Sequence, residues 1–291
     1  HGAWASGNWS QFASHDFKQN TSKFYQDEIE TPFFNFYLKD KGQINLPEAY
    51  IFETGKNEWQ KYAQWPPEDM QPVHYFLRES GGLSAGIKTN VKEYTEYNSN
   101  PARPVPYTNL ISRGRNNEYM AEDQRFASRR PDVLVFMTDT LTEDITLAGP
   151  VTADLFVSTT GTDADFIVKL IDVLPLNTPN LSPNPKQIQM GGMERLVRAE
   201  VIRGKFRNSF EKPQPFEPGK VAEVKYDLPD VAHTFLKGHR IMVQIQSSWF
   251  PLVDRNPQQF LKIPQAKESD FIKSDIRIYH KPGNESKITL P

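Results

Sequence analysis

Cysteine is absent from this 291-residue chain, which excludes disulfides, thiolate metal sites and a cysteine nucleophile. A basic surplus is missing too, since 34 Lys+Arg stand against 36 Asp+Glu for a formal net charge of −2. Nucleic-acid binders draw most of their non-specific affinity from such a surplus, so that partner class drops out. No window approaches the ~20 apolar residues of a membrane-spanning helix, and no charged and apolar leader of a signal peptide is present. The first residue is His1 rather than Met, which reads as a processed or truncated product. Internal repeats and low-complexity runs are lacking as well.

What is present points to strands. Aromatics make up 12% of a chain that is 37% hydrophobic, and flat, high-area side chains suit a β-rich core. Pro 23 and Gly 16 predict many turns between short elements. Runs rich in β-branched or aromatic residues fall at Ala49–Glu53, Val73–Leu77, Val133–Thr138, Leu155–Ser158, Phe166–Val173, Leu196–Arg203, Val221–Leu228, Arg240–Gln246 and Ile276–Tyr279. Turn clusters such as Ser80-Gly81-Gly82 and Lys281-Pro282-Gly283-Asn284 separate them, the pattern of an all-β sandwich or barrel. The Pro-rich tract Leu174–Met190 reads as a long excursion between strands.

One helix precedes this β region. Tyr25, Ile29, Phe33, Phe36 and Tyr37 form one stripe at helical spacing, with Thr21 or Ser22 as cap, Pro32 kinking or dividing it near Thr31, and Gly42 just past the end.

Several motifs carry chemistry on paper. Gly82-Leu83-Ser84-Ala85-Gly86 fits the G-x-S-x-G string of a nucleophile elbow, which needs a strand running straight into a tight turn and a helix. Polar residues separate Ser84 from the strand before it. The residues after it, with Ile87, Val91 and Tyr94 at helical spacing, make a poor helix, so the turn chemistry favours a hairpin tip. His15, His74, His233, His239 and His280 show no metal-ligand spacing, and His233 and His239 flank a turn where hydrogen-bonding roles are expected. Asp163 and Asp165 would share one face of an extended segment and Asp172 the other, with solvated strand ends the expected setting. Asp254-Arg255, bounded by prolines after Trp249-Phe250, predicts an ordered loop whose Arg clamps carboxylates within the fold or across a domain seam. Trp59, Trp65 and Trp249 could supply a sugar-binding platform, and a bare interaction domain is a third reading.

The stretch Gly238-His239-Arg240-Ile241-Met242-Val243-Gln244-Ile245-Gln246-Ser247-Ser248, followed by Phe250-Pro251-Leu252 and Asp254-Arg255-Asn256-Pro257-Gln258, resembles the α-amino-acid ester hydrolases. These stand with the glutaryl-7-aminocephalosporanic-acid acylases and X-Pro dipeptidyl peptidases among the cocaine-esterase-like (CocE/NonD) serine hydrolases. Asp123-Gln124-Arg125-Phe126, Arg130-Pro131-Asp132-Val133-Leu134, Leu141-Thr142-Glu143, Ala148-Gly149-Pro150 and the segment from Asp165 to Asp172 agree in the same order. The resemblance implies a mainly β fold, a galactose-binding-like jelly roll over residues 43–291. It makes residues 1–42 the end of an α/β-hydrolase domain, including that domain's last helix. His1-Gly2 matches the tail of the family's catalytic-histidine motif, which implies that His1 is the general base. The serine and aspartate would precede it, whereas Ser84 is followed by Ala85 where the family nucleophile has Tyr. The implied partners are the missing hydrolase domain and a small acyl ester or amide substrate. No cofactor or metal is implied, the resemblance suggests a periplasmic or secreted setting, and it allows a homo-oligomer. The fragment alone is expected to be inactive.

Overall fold

Alternating and continuous apolar runs fold here as antiparallel strands, in a computed structural model that describes residues 10–86, 92–111, 114–184 and 186–291. In chain order the strands are β1 (Gln11–Phe12), β2 (His15–Asp16), β3 (Ala49–Glu53), β4 (Glu58–Tyr62), β5 (Val73–Leu77), β6 (Leu83–Ala85), β7 (Tyr94–Ser99) and β8 (Leu134–Met137). They continue with β9 (Ile145–Thr159), β10 (Asp165–Val173), β11 (Glu194–Arg203), β12 (Ala222–Phe235), β13 (Arg240–Gln246), β14 (Ser274–Tyr279) and β15 (Lys287–Leu290). One sheet has the order β11-β10-β13-β8. The other runs β6-β5-β15-β9-β14-β7, with β12 also paired along β9. The expectation of a β sandwich holds.

The core lies between these two sheets. Phe166, Val168, Leu170, Val243 and Ile245 of the first meet Val151, Leu155, Val157, Val224, Ile276 and Ile278 of the second, all essentially without solvent contact. A second cluster covers the opposite face of the four-stranded sheet, where Ile167, Ile171, Leu196 and Met242 pack under Tyr107 and Trp249. Strand β10 is therefore buried on both faces, which is why its sequence is a nearly continuous apolar run.

The helix extends from Thr21 to Lys39 as α1 (Thr21–Tyr25), a π-helical turn (Gln26–Glu30) and α2 (Thr31–Lys39). The caps differ from those expected. Asn20 rather than Thr21 or Ser22 is the cap: its backbone is extended and its side-chain oxygen accepts from the Lys23 amide three residues on, while Thr21 and Ser22 are already helical. Asp40, with φ of 50°, ends the helix before Gly42 does. Pro32 stands in the first turn of α2, where its missing N–H costs nothing, and the helix divides at Thr31 as expected, with a π turn before it. No residue of α2 is buried, and Phe33, Phe34, Tyr37 and Leu38 are 43, 48, 59 and 74% exposed. The tract Leu174–Met190 is a long loop, closed by its own small cluster of Leu174, Met190 and Met193.

Phe166 and Phe34 make a contrasting pair. Replacing Phe166 by Ala should lower the free energy of unfolding by about 3–5 kcal/mol, as expected for a fully buried ring. Phe34→Ser should change it by less than about 0.5 kcal/mol, both read by urea denaturation.

Candidate functional site

The buried strand β10 begins and ends on a carboxylate, and each must find partners away from water. At its start Asp165 receives Arg203 Nε and Nη2 at 3.0 and 3.1 Å and the Asn256 amide at 2.7 Å. Asp163 beside it accepts from the amides of Ala164 and Lys205 at 3.0 Å each, and Lys205 Nζ stands 3.8 Å away. Burial first, and the charge of Asp165 second, push the Asp163 carboxyl up to about 6. Both residues are 1% exposed or less, so the expectation of solvated strand ends is corrected. Flanking loops fold over the strand termini; burial raises the Asp165 carboxyl, and Arg203 and Asn256 oppose that rise without cancelling it.

The other end holds Asp172, also 1% exposed. His239 Nδ1 meets its Oδ1 at 2.7 Å, and His233 Nε2 stands 3.6 Å from Oδ2. Burial alone would raise this carboxyl, but the contacts from His233 and His239 more than offset it and hold it at about 2. His239 takes the hydrogen-bonding role expected of it with Asp172 as its partner, whereas His233 Nε2 faces the same carboxylate from beyond hydrogen-bond distance. His233 Nδ1 in turn meets Thr54 Oγ1 at 2.8 Å, so the network reaches the β3–β4 hairpin.

From that hairpin the network continues into the N-terminal segment. Asn57, in the left-handed region with φ of 62°, places its Oδ1 2.9 Å from His15 Nε2 and donates to the Asp16 carbonyl at 3.2 Å. The Asn57 carbonyl accepts from Gln19 Nε2 at 2.8 Å. His15 is 7% exposed, and burial, followed by the positive charge of Arg195, pushes its imidazole down to about 4. Phe17 sets its ring edge on Phe52 at 5.5 Å and Phe24 stacks on Trp59 at 4.6 Å. Residues 10–25 thus form a strap docked on the β domain. Sequence reasoning missed Asn57 and Arg195. Gly55-Lys56-Asn57 carries a turn signal after the run Ala49–Glu53, whereas nothing marks Arg195.

The remaining candidates separate. His1 lies outside the described residues, as do Ile87 and Val91 behind the G-x-S-x-G string. Ser84 sits within β6, paired with β5, and its Oγ accepts from Arg78 Nε at 3.2 Å; a serine inside a strand is not raised on an elbow turn. His74 meets Thr289 Oγ1 at 2.9 Å and His280 Nε2 meets Thr95 Oγ1 at 2.8 Å, far apart in the sheet order. Arg255 clamps Glu268 bidentately at 3.2 and 2.9 Å and also reaches the Pro101 carbonyl, so its loop is fastened within the fold. Trp249 is buried, Trp59 is stacked and Trp65 donates to Asp230 at 2.6 Å, so the three share no solvent-facing platform. Among the described residues no group of three His, Asp or Glu side chains is placed to hold a metal.

The described residues therefore carry buried polar networks and no constellation of nucleophile, base and oxyanion donors. Comparison with known proteins accounts for this. The X-Pro dipeptidyl-peptidase C-terminal non-catalytic domain matches residues 41–289. The chain belongs to that family. Cocaine esterase of Rhodococcus sp. (strain MB1 Bresler) is 30% identical over 269 residues, spanning 89% of this chain and 44% of the esterase. An aminopeptidase from a marine-sediment Thaumarchaeota archaeon is 36% identical with a TM-score of 0.92, over 99% of this chain and 47% of that one. An α-amino acid ester hydrolase is 36% identical with a TM-score of 0.89, over 100% of this chain and 48% of that one. The resemblance read from the sequence to the C-terminal part of CocE/NonD hydrolases is borne out. The chain spans about half the length of these relatives.

Two measurements test the networks. A histidine depressed from 6.5 to about 4 contributes stability that is present above pH 6.5 and lost as pH falls toward 4. Acidifying from pH 7 to 4.5 should remove about 2–3 kcal/mol through His15, and His15→Gln should flatten that part of the profile of unfolding free energy against pH. Arg203→Ala leaves the buried Asp165 carboxylate without its bidentate partner, and should cost about 3 kcal/mol in chemical denaturation at pH 7.

Proposed function

We propose that the chain is the C-terminal portion of a serine hydrolase that cleaves acyl esters or amides. Residues 1–42 then complete an α/β-hydrolase domain and residues 43–291 form the jelly roll beside it. The observation that carries this reading is the uncovered face of α2, where Phe33, Phe34, Tyr37 and Leu38 all stand in solvent. A contiguous aromatic face of this kind marks a surface built to be covered. Relatives about twice as long supply the cover in kind, an additional domain of a hydrolase.

In the assembled protein a serine of the preceding domain attacks the carbonyl of the substrate, and His1 takes the serine proton as the bond forms. His1 returns that proton to the departing alcohol or amine. The acyl-enzyme is then opened by water or by a second amine, with His1 taking the proton of the attacking group. No cofactor enters this sequence. The β domain supports the cleft and holds the residues behind His1, while Arg255, Glu268 and their loop are structural.

The purified 291-residue chain should not turn over an activated amino-acid ester above background, and Ser84→Ala should change nothing. The longer protein should hydrolyse the ester, with His1→Ala lowering kcat by about 10³-fold or more. Turnover by the isolated chain that vanishes in Ser84→Ala would overturn the reading.

A further inference from the structure

The sandwich has an open side between the edge strands of its two sheets. Strand β11 ends the four-stranded order, and β12 pairs only with β9. The β3–β4 hairpin closes part of this gap. The Thr54 amide donates to the Ala232 carbonyl of β12 at 3.1 Å, and the Thr234 amide donates back to the Thr54 carbonyl at 2.8 Å. What stays open is a cleft of about 470 Å³, with Tyr25, Tyr50, Trp65, Val197, Arg198 and Asp230 in its walls.

Asp230 organises this cleft. The bulge between Leu228 and Val231 leaves it outside the β12 ladder, where its side chain and its carbonyl are both available. The carboxylate accepts from Trp65 Nε1 at 2.6 Å through Oδ2, and the main-chain carbonyl accepts from Arg198 Nη2 at 2.5 Å. One residue thus fixes an indole ring and a guanidinium. The Trp65 ring is also held by the edge of Tyr62, with ring centres 5.2 Å apart. Arg198 donates to the carbonyl of Asp230 and not to its carboxylate, so cation and anion stand side by side without pairing. Asp230 Oδ1 and Arg198 Nη1 have no hydrogen-bond partner among the described residues, and Arg198 Nε is enclosed without one.

We infer that this cleft binds a neutral sugar ring, stacked on Trp65 and held through its hydroxyls by Asp230 and Arg198. A hydroxyl donates and accepts through one oxygen, so two neighbouring hydroxyls answer the free acceptor and the free donor together. An ammonium could only donate and a carboxylate only accept, and each would leave one of the two charges unanswered. The charges of Arg198 and Asp230 offset one another, which favours a guest with none. The negative face of an indole receives the C–H face of a pyranose, and Tyr25, Tyr50 and Val197 continue the apolar wall. Ring, donor and acceptor are already held in place by Asp230, so little side-chain freedom is lost on binding. Trp65 does this without Trp59 or Trp249. No residue of the proposed catalytic group lines the cleft, so this site and the hydrolase assignment are independent.

The test titrates the purified 291-residue chain with methyl α-D-glucopyranoside, methyl β-D-galactopyranoside and methyl α-D-mannopyranoside, read by calorimetry and by saturation transfer to the ligand protons. At least one should bind with a Kd on the order of 1–10 mM, as befits a single ring. Trp65→Ala and Asp230→Ala should each weaken that binding by about tenfold or more. Arg198→Met keeps the apolar stem and should cost about fivefold. Trp65→Phe keeps a ring without the indole N–H and should cost about threefold; with Asp230→Asn it also serves if an alanine variant fails to fold. Binding of none of the three glycosides below about 50 mM would overturn the inference, as would binding that Trp65→Ala and Asp230→Ala leave within about twofold of the parent. Phenylalanine is the opposing arm. If that zwitterion binds and the glycosides do not, the cleft selects charge in place of hydroxyls and the inference fails.

Discussion

Strand β10 has to be buried on both faces, and the polar architecture of the chain follows from how that burial is met. One face is covered by the seven-stranded sheet, as in any sandwich. The other is closed by Tyr107, Tyr119 and Trp249 from the connecting segments. Lys169 lies in the middle of that second face with no solvent exposure. Its ammonium donates to Gln124 Oε1 at 2.9 Å and sits 5.6 Å from the Trp249 ring and 6.0 Å from that of Phe126. Burial pulls it down to about 7, against the opposing charge of Glu122. A lysine there would be prohibitive if permanently charged; the surrounding rings and its lowered proton affinity make it tolerable.

The sequence told most about this framework where one physical term dominated. The run Phe166–Val173 reads as a strand and is found as one, extended by Asp165, and Arg240–Gln246 is found at the expected bounds. The apolar pattern marks β9 only over Leu155–Ser158 and gives no sign of a strand across Gly149-Pro150. The strand in fact passes straight through it. Val151 pairs with Leu228 and Gly149 with Val231, so Pro150 faces the bulge at Pro229-Asp230 on β12, where its missing N–H interrupts nothing. Strands β4, β6, β7 and β15 were invisible for another reason. Tyr94–Ser99 is a sheet edge with polar residues at most positions, and Glu58–Tyr62 belongs to a two-stranded hairpin, so neither needs an apolar pattern.

The candidate site was less legible, because its partners are brought together by topology. Asp172, His233 and His239 all stood out individually, yet their common point depends on β10, β12 and β13 belonging to two sheets whose ends meet. The same holds for Asp165, whose partners Arg203 and Asn256 come from β11 and from a loop some ninety residues on. Turn statistics favour solvent for an Asp beside a strand, and they fail when loops close over the strand ends. Ser84 errs in the opposite sense: a motif present in letters but set in a paired strand with Arg78 on its hydroxyl.

The two ends of β10 are not equivalent, and the difference bears on what a non-catalytic domain can contribute. At the Asp165 end the carboxylate is satisfied by residues of the β domain alone, through Arg203 and through Asn256 of the 254–261 loop. Rearrangement there stays within the domain. At the Asp172 end, contacts run through His233 to Thr54, and the hairpin carrying Thr54 also carries Asn57 against His15. The chain of contacts crosses from the sandwich into the strap that leads back toward His1. Both ends bury charge at a cost that well-packed apolar residues would not incur. At the first end that cost orders a loop. At the second, the hairpin it holds offers Asn57 to the N-terminal segment, and His15, the Asp16 carbonyl and Gln19 meet Asn57 in only one docking of the strap. Packing of Phe17 on Phe52 and Phe24 on Trp59 would tolerate small slides; directional bonds to buried groups tolerate far less.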